Sequence, residues 1–364
     1  MAISEYFSGD YAAARIRFRA AAERAGATLR DHPLPQRLGA QGEPLAMDVA
    51  RLGNPHADCA LVVISGTHGV EGFCGSGCQV GLLSDQLCEA LPQSACLVLV
   101  HALNPFGFSW SRRVNEDGVD LNRNFVDFSQ PLPSSNAYEP LHELLVPVDW
   151  HGEGRRAADA ALAALMQRQG PRAVQTAITG GQYSRPSGLF YGGRRASWSA
   201  TTLERVLKEA LPASVARLAV LDLHTGLGPA AYGEPILTAS GPGDLERARR
   251  WYGPEVKDLD ADESVSARVV GSVADGVRRA LPRVDLTFLA LEFGTIPLER
   301  VLNALRADHW LHAHGGSDEE LRAQIGRQMR EAFFSQNPAW QAAVYGRTVD
   351  FAYRAARGLA ERPR

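Results

Sequence analysis

Apolar positions along the chain fall into two recurring patterns. Four short runs are mostly apolar: Ala60–Ser65 (ALVVIS), Cys96–Ala102 (CLVLVHA), Leu218–Leu223 (LAVLDL) and Leu286–Leu291 (LTFLAL). A strand covered on both faces needs apolar side chains at every position, so these runs predict buried strands. Elsewhere apolar residues recur at helical spacing, which predicts helices over 10–25, 75–91, 157–169, 201–211, 243–252, 297–312, 318–335 and 338–358. Buried strands alternating with helices imply an α/β sheet with helices on both faces. There is no internal repeat and no low-complexity linker. One domain over residues 1–364 is therefore expected, with a long surface excursion around 127–200 that opens rich in Pro, Ser and acids.

The ends of the apolar runs carry the polar residues of interest. The first runs into Gly-Thr-His68-Gly-Val-Glu71, the second into Asn104-Pro105, the third into His224-Thr-Gly and the fourth into Glu292-Phe-Gly. In open α/β sheets ligands bind beyond the carboxyl ends of the strands, so residues remote in sequence can meet there. A zinc site needs neutral imidazole nitrogen and carboxylate oxygen at about 2.0–2.2 Å. The spacing of His68 and Glu71 lets both turn to one point if Gly69 permits a tight path. His-x-x-Glu is a weak pattern alone, and its place at a strand end strengthens it. With His224 it makes the two-histidine, one-glutamate set of hydrolytic zinc enzymes, which leaves a position open for water. Asp222 shares a strand face with His224 and is either its hydrogen-bond partner or structural. Glu292 follows an apolar strand. Desolvation there raises a carboxyl pKa and suits it to proton transfer near neutral pH; the alternative is a buried acid paired with an arginine. The stretch Arg112-Arg113 to Asp120-Leu-Asn122-Arg123 reads as a loop. Its guanidinium forks suit a carboxylate or an oxyanion, and the alternative is a surface salt-bridge cluster.

Composition narrows the classes of function. The 364 residues are 45% apolar and 22% charged with a net charge of −3, which fits a globular chain that does not target a polyanion. Arginine far exceeds lysine, whose only instances are Lys208 and Lys257. The arginine-rich spots at 155–156, 194–195 and 247–250 are broken by acids and apolar residues and read as solvated helix faces, not a nucleic-acid patch. Five cysteines occur without a CxxC pair, which fits a reducing cytoplasm. Neither a signal-peptide core nor an apolar run of membrane-spanning length is found. A cysteine hydrolase built on Cys74 or Cys78 is a rival reading, but both fall in a predicted helix start, where an inert buried thiol is expected.

The ordered set His-x-x-Glu, Asn-Pro-x-Gly, Arg, Asp-x-Asn-Arg, strand-end His and strand-end Glu resembles the zinc carboxypeptidase superfamily, which includes the aspartoacylase and succinylglutamate desuccinylase branch. The wording SGTHGVEGFCGS, NPFGFSWSRRVNEDGVDLNRNF, LFYGG, LDLHTGLG and ALEFGT looks most like a bacterial branch catalogued as a domain of unknown function. The resemblance implies a mixed, mostly parallel central sheet and one Zn2+ per chain held by His68, Glu71 and His224. It implies that Asp120 orients His68, that Asn122 and Arg123 grip a substrate carboxylate, and that Glu292 is the general base. Arg113 matches the arginine that polarises the scissile carbonyl, with Arg112 as the competing assignment. The substrate is then a peptide or small molecule with a free carboxylate. The tyrosine that caps the substrate in carboxypeptidases has no motif match here; Tyr191 and Tyr232 are candidates. A non-catalytic binding protein retaining the fold is the rival from another class.

Overall fold

A computed structural model describes residues 2–238, 241, 243–261, 264–315 and 318–361. Among these, eight strands join one sheet: β1 (Thr28–Leu38), β2 (Pro44–Gly53), β3 (Cys59–Ser65), β4 (Ala95–His101), β5 (Arg217–Ala230), β6 (Glu234–Leu237), β7 (Lys257–Asp258) and β8 (Asp285–Gly294). Their order is β1-β2-β4-β3-β5-β8-β6-β7. The four apolar runs form its contiguous middle, β4-β3-β5-β8, and every pairing within that block is parallel. Antiparallel strands extend both sides, β2 against β4 and β6 against β8, so the sheet is mixed and mostly parallel.

Alternate residues of the central strands feed two cores. Leu61, Val63, Leu221, Leu223 and Leu289 pack against helices Tyr11–Arg24, Gly72–Ser84, Leu298–His314 and Pro338–Ala360. Val62, Ile64, Val98, Val220 and Phe288 pack on the opposite face against helices Trp198–Ala210 and Val273–Ala280. The helix expected over 75–91 begins earlier and ends sooner, at Gly72–Ser84, with a 3-10 turn at Leu87–Ala90 after it. The residues from 127 to 200 hold helices Glu153–Gln169 and Pro171–Thr179 and bury Tyr138, Leu141, Leu162, Val174 and Phe190. This excursion is therefore anchored in the core. No helix among the described residues is long and apolar enough to cross a membrane.

All four central strands run the same way, so their carboxyl ends share one edge. The loops after β3 and β4 meet His224 and the end of β8 there; β5 does not end at His224 as its apolar run implied but continues to Ala230, with a register break after Thr225. His224 and Glu292 are direct register partners on β5 and β8.

Candidate metal centre

His68 leaves β3 through Gly66, and a 3-10 turn at Gly69–Glu71 brings Glu71 back toward it. Gly69 is required for a reason the spacing alone does not reveal. A Cβ there would lie 2.1 Å from the Gly107 backbone, so the loop can pack this tightly only with glycine. The backbone of the arginine loop holds the turn: Gly69 N donates to Arg113 O at 3.1 Å and Val70 N to Arg112 O at 2.8 Å.

Three donors converge. His68 Nδ1 is 2.9 Å from Glu71 Oε1, His224 Nδ1 is 3.0 Å from Glu71 Oε2, and the two Nδ1 atoms are 3.3 Å apart. A tetrahedral ion with bonds near 2.1 Å needs ligand edges of about 3.4 Å. Among the described residues this is the one cluster of histidine, cysteine and acid side chains close enough to hold a metal. All three are buried. The outer nitrogens are held as metal-binding imidazoles require: His68 Nε2 is 3.2 Å from Asp120 Oδ1, and His224 Nε2 is 2.8 Å from Asp222 Oδ2. Asp222 is in turn fixed by the Thr67 hydroxyl, which donates to Oδ1 at 2.8 Å. Asp222 thus orients His224, which resolves the choice left by its spacing. The donor chemistry fits zinc.

The charges are tuned by one another. Burial would raise Glu71, but the two imidazoles outweigh it and hold the carboxyl at about 2. Burial would lower His224, but Asp222 and Glu71 outweigh it and raise it well above the ordinary histidine value. Burial would raise Asp120, yet Arg113, His68 and Arg123 hold it well below the usual carboxylate range. Glu292 goes the other way: burial and the Glu71 carboxylate push it up to about 8. Its Oε1 accepts from Leu227 N at 3.1 Å.

The two arginines that competed for one role are separated. Arg113 stands at the cluster, with Nε 2.9 Å from Asp120 Oδ2, Nη1 3.5 Å from Glu71 Oε1 and Nη2 2.7 Å from His68 Nε2. Arg112 is turned away: its guanidinium forks onto Asp308 in a buried pair at 3.0–3.1 Å. The Nε and Nη2 donors of Arg112 are thus committed to Asp308 and not to the cluster. Arg123 is buried and donates from Nε to Thr179 O at 3.2 Å and from Nη1 to Asn122 O at 2.8 Å. Asn122 Oδ1 accepts from Val273 N at 3.0 Å.

Tyr191 is buried, and its carbonyl accepts from Asp120 N at 2.8 Å. Tyr232 is largely exposed, beside Arg347. Cys74 and Cys78 are buried on helix Gly72–Ser84, and burial raises the Cys74 thiol well above its ordinary value. Such a thiol is a poor nucleophile. Sequence reading missed Asp308, Thr67, Phe190 and Glu234. Glu234 lies opposite Glu292 on β6 and accepts from the Ser264 hydroxyl at 2.8 Å. Thr67 sits in the quoted strand-end motif, whereas Asp308 lies mid-helix with no local pattern to mark it.

Several solved structures are similar to this chain. An aspartoacylase family protein from Mesorhizobium loti is 17% identical, with 79% of this chain and 67% of that one covered and a TM-score of 0.38. Carboxypeptidase A from Helicoverpa armigera is 12% identical, with coverage of 86% and 71% and a TM-score of 0.45. Bovine thrombin-activatable fibrinolysis inhibitor, solved with a tick carboxypeptidase inhibitor, is 11% identical, with coverage of 97% of each chain and a TM-score of 0.49. No curated protein matches the chain. Residues 7–347 match the model of the family described as Protein of unknown function (DUF2817), and the chain belongs to that family.

Proposed function

We propose that this protein is a zinc-dependent hydrolase that cleaves an amide bond in a substrate bearing a carboxylate, either a C-terminal peptide bond or the amide of an N-acyl amino acid. The observation that carries the reading is the convergence of His68, Glu71 and His224, each imidazole backed by its own carboxylate, beside a buried acid of raised pKa. Zinc held by these three residues supplies Lewis acidity and lowers the pKa of a coordinated water toward ~7.

The chain's own groups then divide the work. Glu292 takes the proton of the attacking water and returns it to the leaving amine, a role worth about 10²–10⁴ in rate. A base must start ionised. A dication held by His68, Glu71 and His224 would favour the Glu292 carboxylate and so oppose the burial that raises it.

Arg113 is the oxyanion donor. His68 can offer the Nδ1 lone pair only if Nε2 carries the proton, and that N–H then points to Asp120. The Arg113 Nη2, 2.7 Å from the same Nε2, is thereby freed to turn to a substrate oxygen. Arg123 and Asn122 hold the substrate carboxylate, which positions it without taking part in bond breaking. Asn122 is preset for this, since its Oδ1 is occupied by Val273 N and its amide nitrogen remains to donate.

A screen of N-acyl amino acids against C-terminally free peptides, with and without a chelator, tests the reading. Hydrolysis of one class, abolished by chelation and restored by zinc, is expected. A purified chain that binds no zinc and cleaves neither class would refute it and leave a binding protein.

A further inference from the structure

We infer that Phe190 is a positioning residue that holds Arg113 and Arg123 as one carboxylate-recognition unit. This deepens the proposed function, since it rests on reading those arginines as substrate groups.

Phe190 adopts φ +56°, a left-handed conformation that is unfavourable for a bulky side chain. The backbone around it is pinned. Gln182 N donates to Phe190 O at 3.1 Å, Leu189 N to the Tyr138 hydroxyl at 2.8 Å, and Asp120 N to Tyr191 O at 2.8 Å. Held on both sides, residue 190 has to absorb the turn, and the result is a specific placement of its ring. The ring centroid lies 5.1 Å from the Arg113 guanidinium carbon and 5.5 Å from that of Arg123. Both distances are within cation–π range.

The ring adds to the contacts that hold the two arginines. Asp120 is the shared carboxylate, 2.9 Å from Arg113 Nε and 4.0 Å from Arg123 Nη1. Arg113 also has Nη1 3.5 Å from Glu71 Oε1, so the two buried guanidiniums lie among two carboxylates. The aromatic face adds a favourable contact to both guanidiniums and takes none of their N–H groups. Those groups are engaged inside the protein, Arg123 with Thr179 O and Asn122 O and Arg113 with Asp120, Glu71 and His68, so a substrate carboxylate or oxyanion has to draw them off while the ring keeps the two guanidiniums in place. Phe190 is itself buried, so it also keeps water off the pair and preserves the strength of its field.

Three substitutions separate ring, volume and backbone: Phe190→Tyr keeps the ring, Phe190→Leu keeps apolar volume alone, and Phe190→Gly removes the side chain while relieving the left-handed strain. With N-acetylglycine as probe, calorimetric binding is measured on zinc-loaded Glu292→Gln protein carrying each change. Phe190→Leu and Phe190→Gly should each weaken binding about tenfold, and Phe190→Tyr should stay within about threefold of the parent. With N-acetylglycinamide, which has no carboxylate, the three should not differ. The same order should appear in KM with any carboxylated amide the enzyme cleaves. Equal binding by the Leu and Tyr variants would overturn the inference, as would a Leu defect that merely follows a loss of bound zinc or folded fraction. If the parent protein hydrolyses nothing, the functional proposal fails while the binding comparison still decides the role of Phe190.

Discussion

At the scale of single residues, one strand edge sends two glutamates in opposite directions. Glu71 sits between two imidazoles and is held at about 2; Glu292 sits beside that carboxylate in a buried position and is pushed up to about 8. Pairs of acids whose surroundings drive them apart can take different roles, and on the proposed reading Glu71 is the ligand and Glu292 the base. The shift has a thermodynamic consequence in the metal-free protein. The ordinary value for glutamate is 4.5 and the folded value is about 8, so between these pH values the folded state binds more protons than the unfolded chain. Stability from this group is present below about 4.5 and is lost as pH rises through about 8. Glu292→Gln should therefore flatten the melting temperature of the chelated protein across that window relative to wild type. Zinc-loaded Glu292→Gln should keep its metal and lose turnover by about 10²-fold or more. Loss of zinc along with turnover would make Glu292 a ligand.

At the scale of elements, the arginine loop is secured from behind by helix Leu298–His314. Arg112 and Asp308 form a buried bidentate pair, and the backbone of Arg112 and Arg113 receives the amides of the His68–Glu71 turn. Removing one partner of a buried pair leaves an uncompensated charge, at a cost of about 3–5 kcal/mol. Asp308→Ala should lower unfolding free energy by that order in a denaturant melt and also weaken zinc binding; an unchanged melt would contradict this account. These elements were not equally legible. The four central strands could be read from short, mostly apolar runs because both their faces are buried. The β1–β2 hairpin was missed: β1 is a largely exposed edge strand broken by Pro33 and Pro35, so no apolar alternation marks it. Helix Val273–Ala280 was missed too, although Ser272 and Asp275 form its capping box and were a usable signal. His68, His224 and Glu292 were visible because each follows an apolar run, and Glu71 because of its spacing from His68. Asp308 and Phe190 act through tertiary contacts and left no periodic trace.

At the scale of the whole molecule, the fold brings to one edge residues spread over more than two hundred positions of sequence, from His68 to Glu292. A site buried this deeply concentrates like and unlike charges, and on the proposed reading a bound metal ion would balance them. An ion that binds only the folded state stabilises it by mass action, about 2.7 kcal/mol at a hundredfold excess over Kd. Zinc should therefore raise the melting temperature of the chelated protein in a concentration-dependent way, and His224→Ala should remove most of that gain. The most direct test of the central claim is a zinc titration of chelated protein, reading bound metal and amide hydrolysis on the same samples. Hydrolysis should rise in step with bound zinc and level off at one zinc per chain. Hydrolysis that persists in the chelated protein, or zinc that binds at one per chain without any hydrolysis of N-acyl amino acids or peptides, would contradict it.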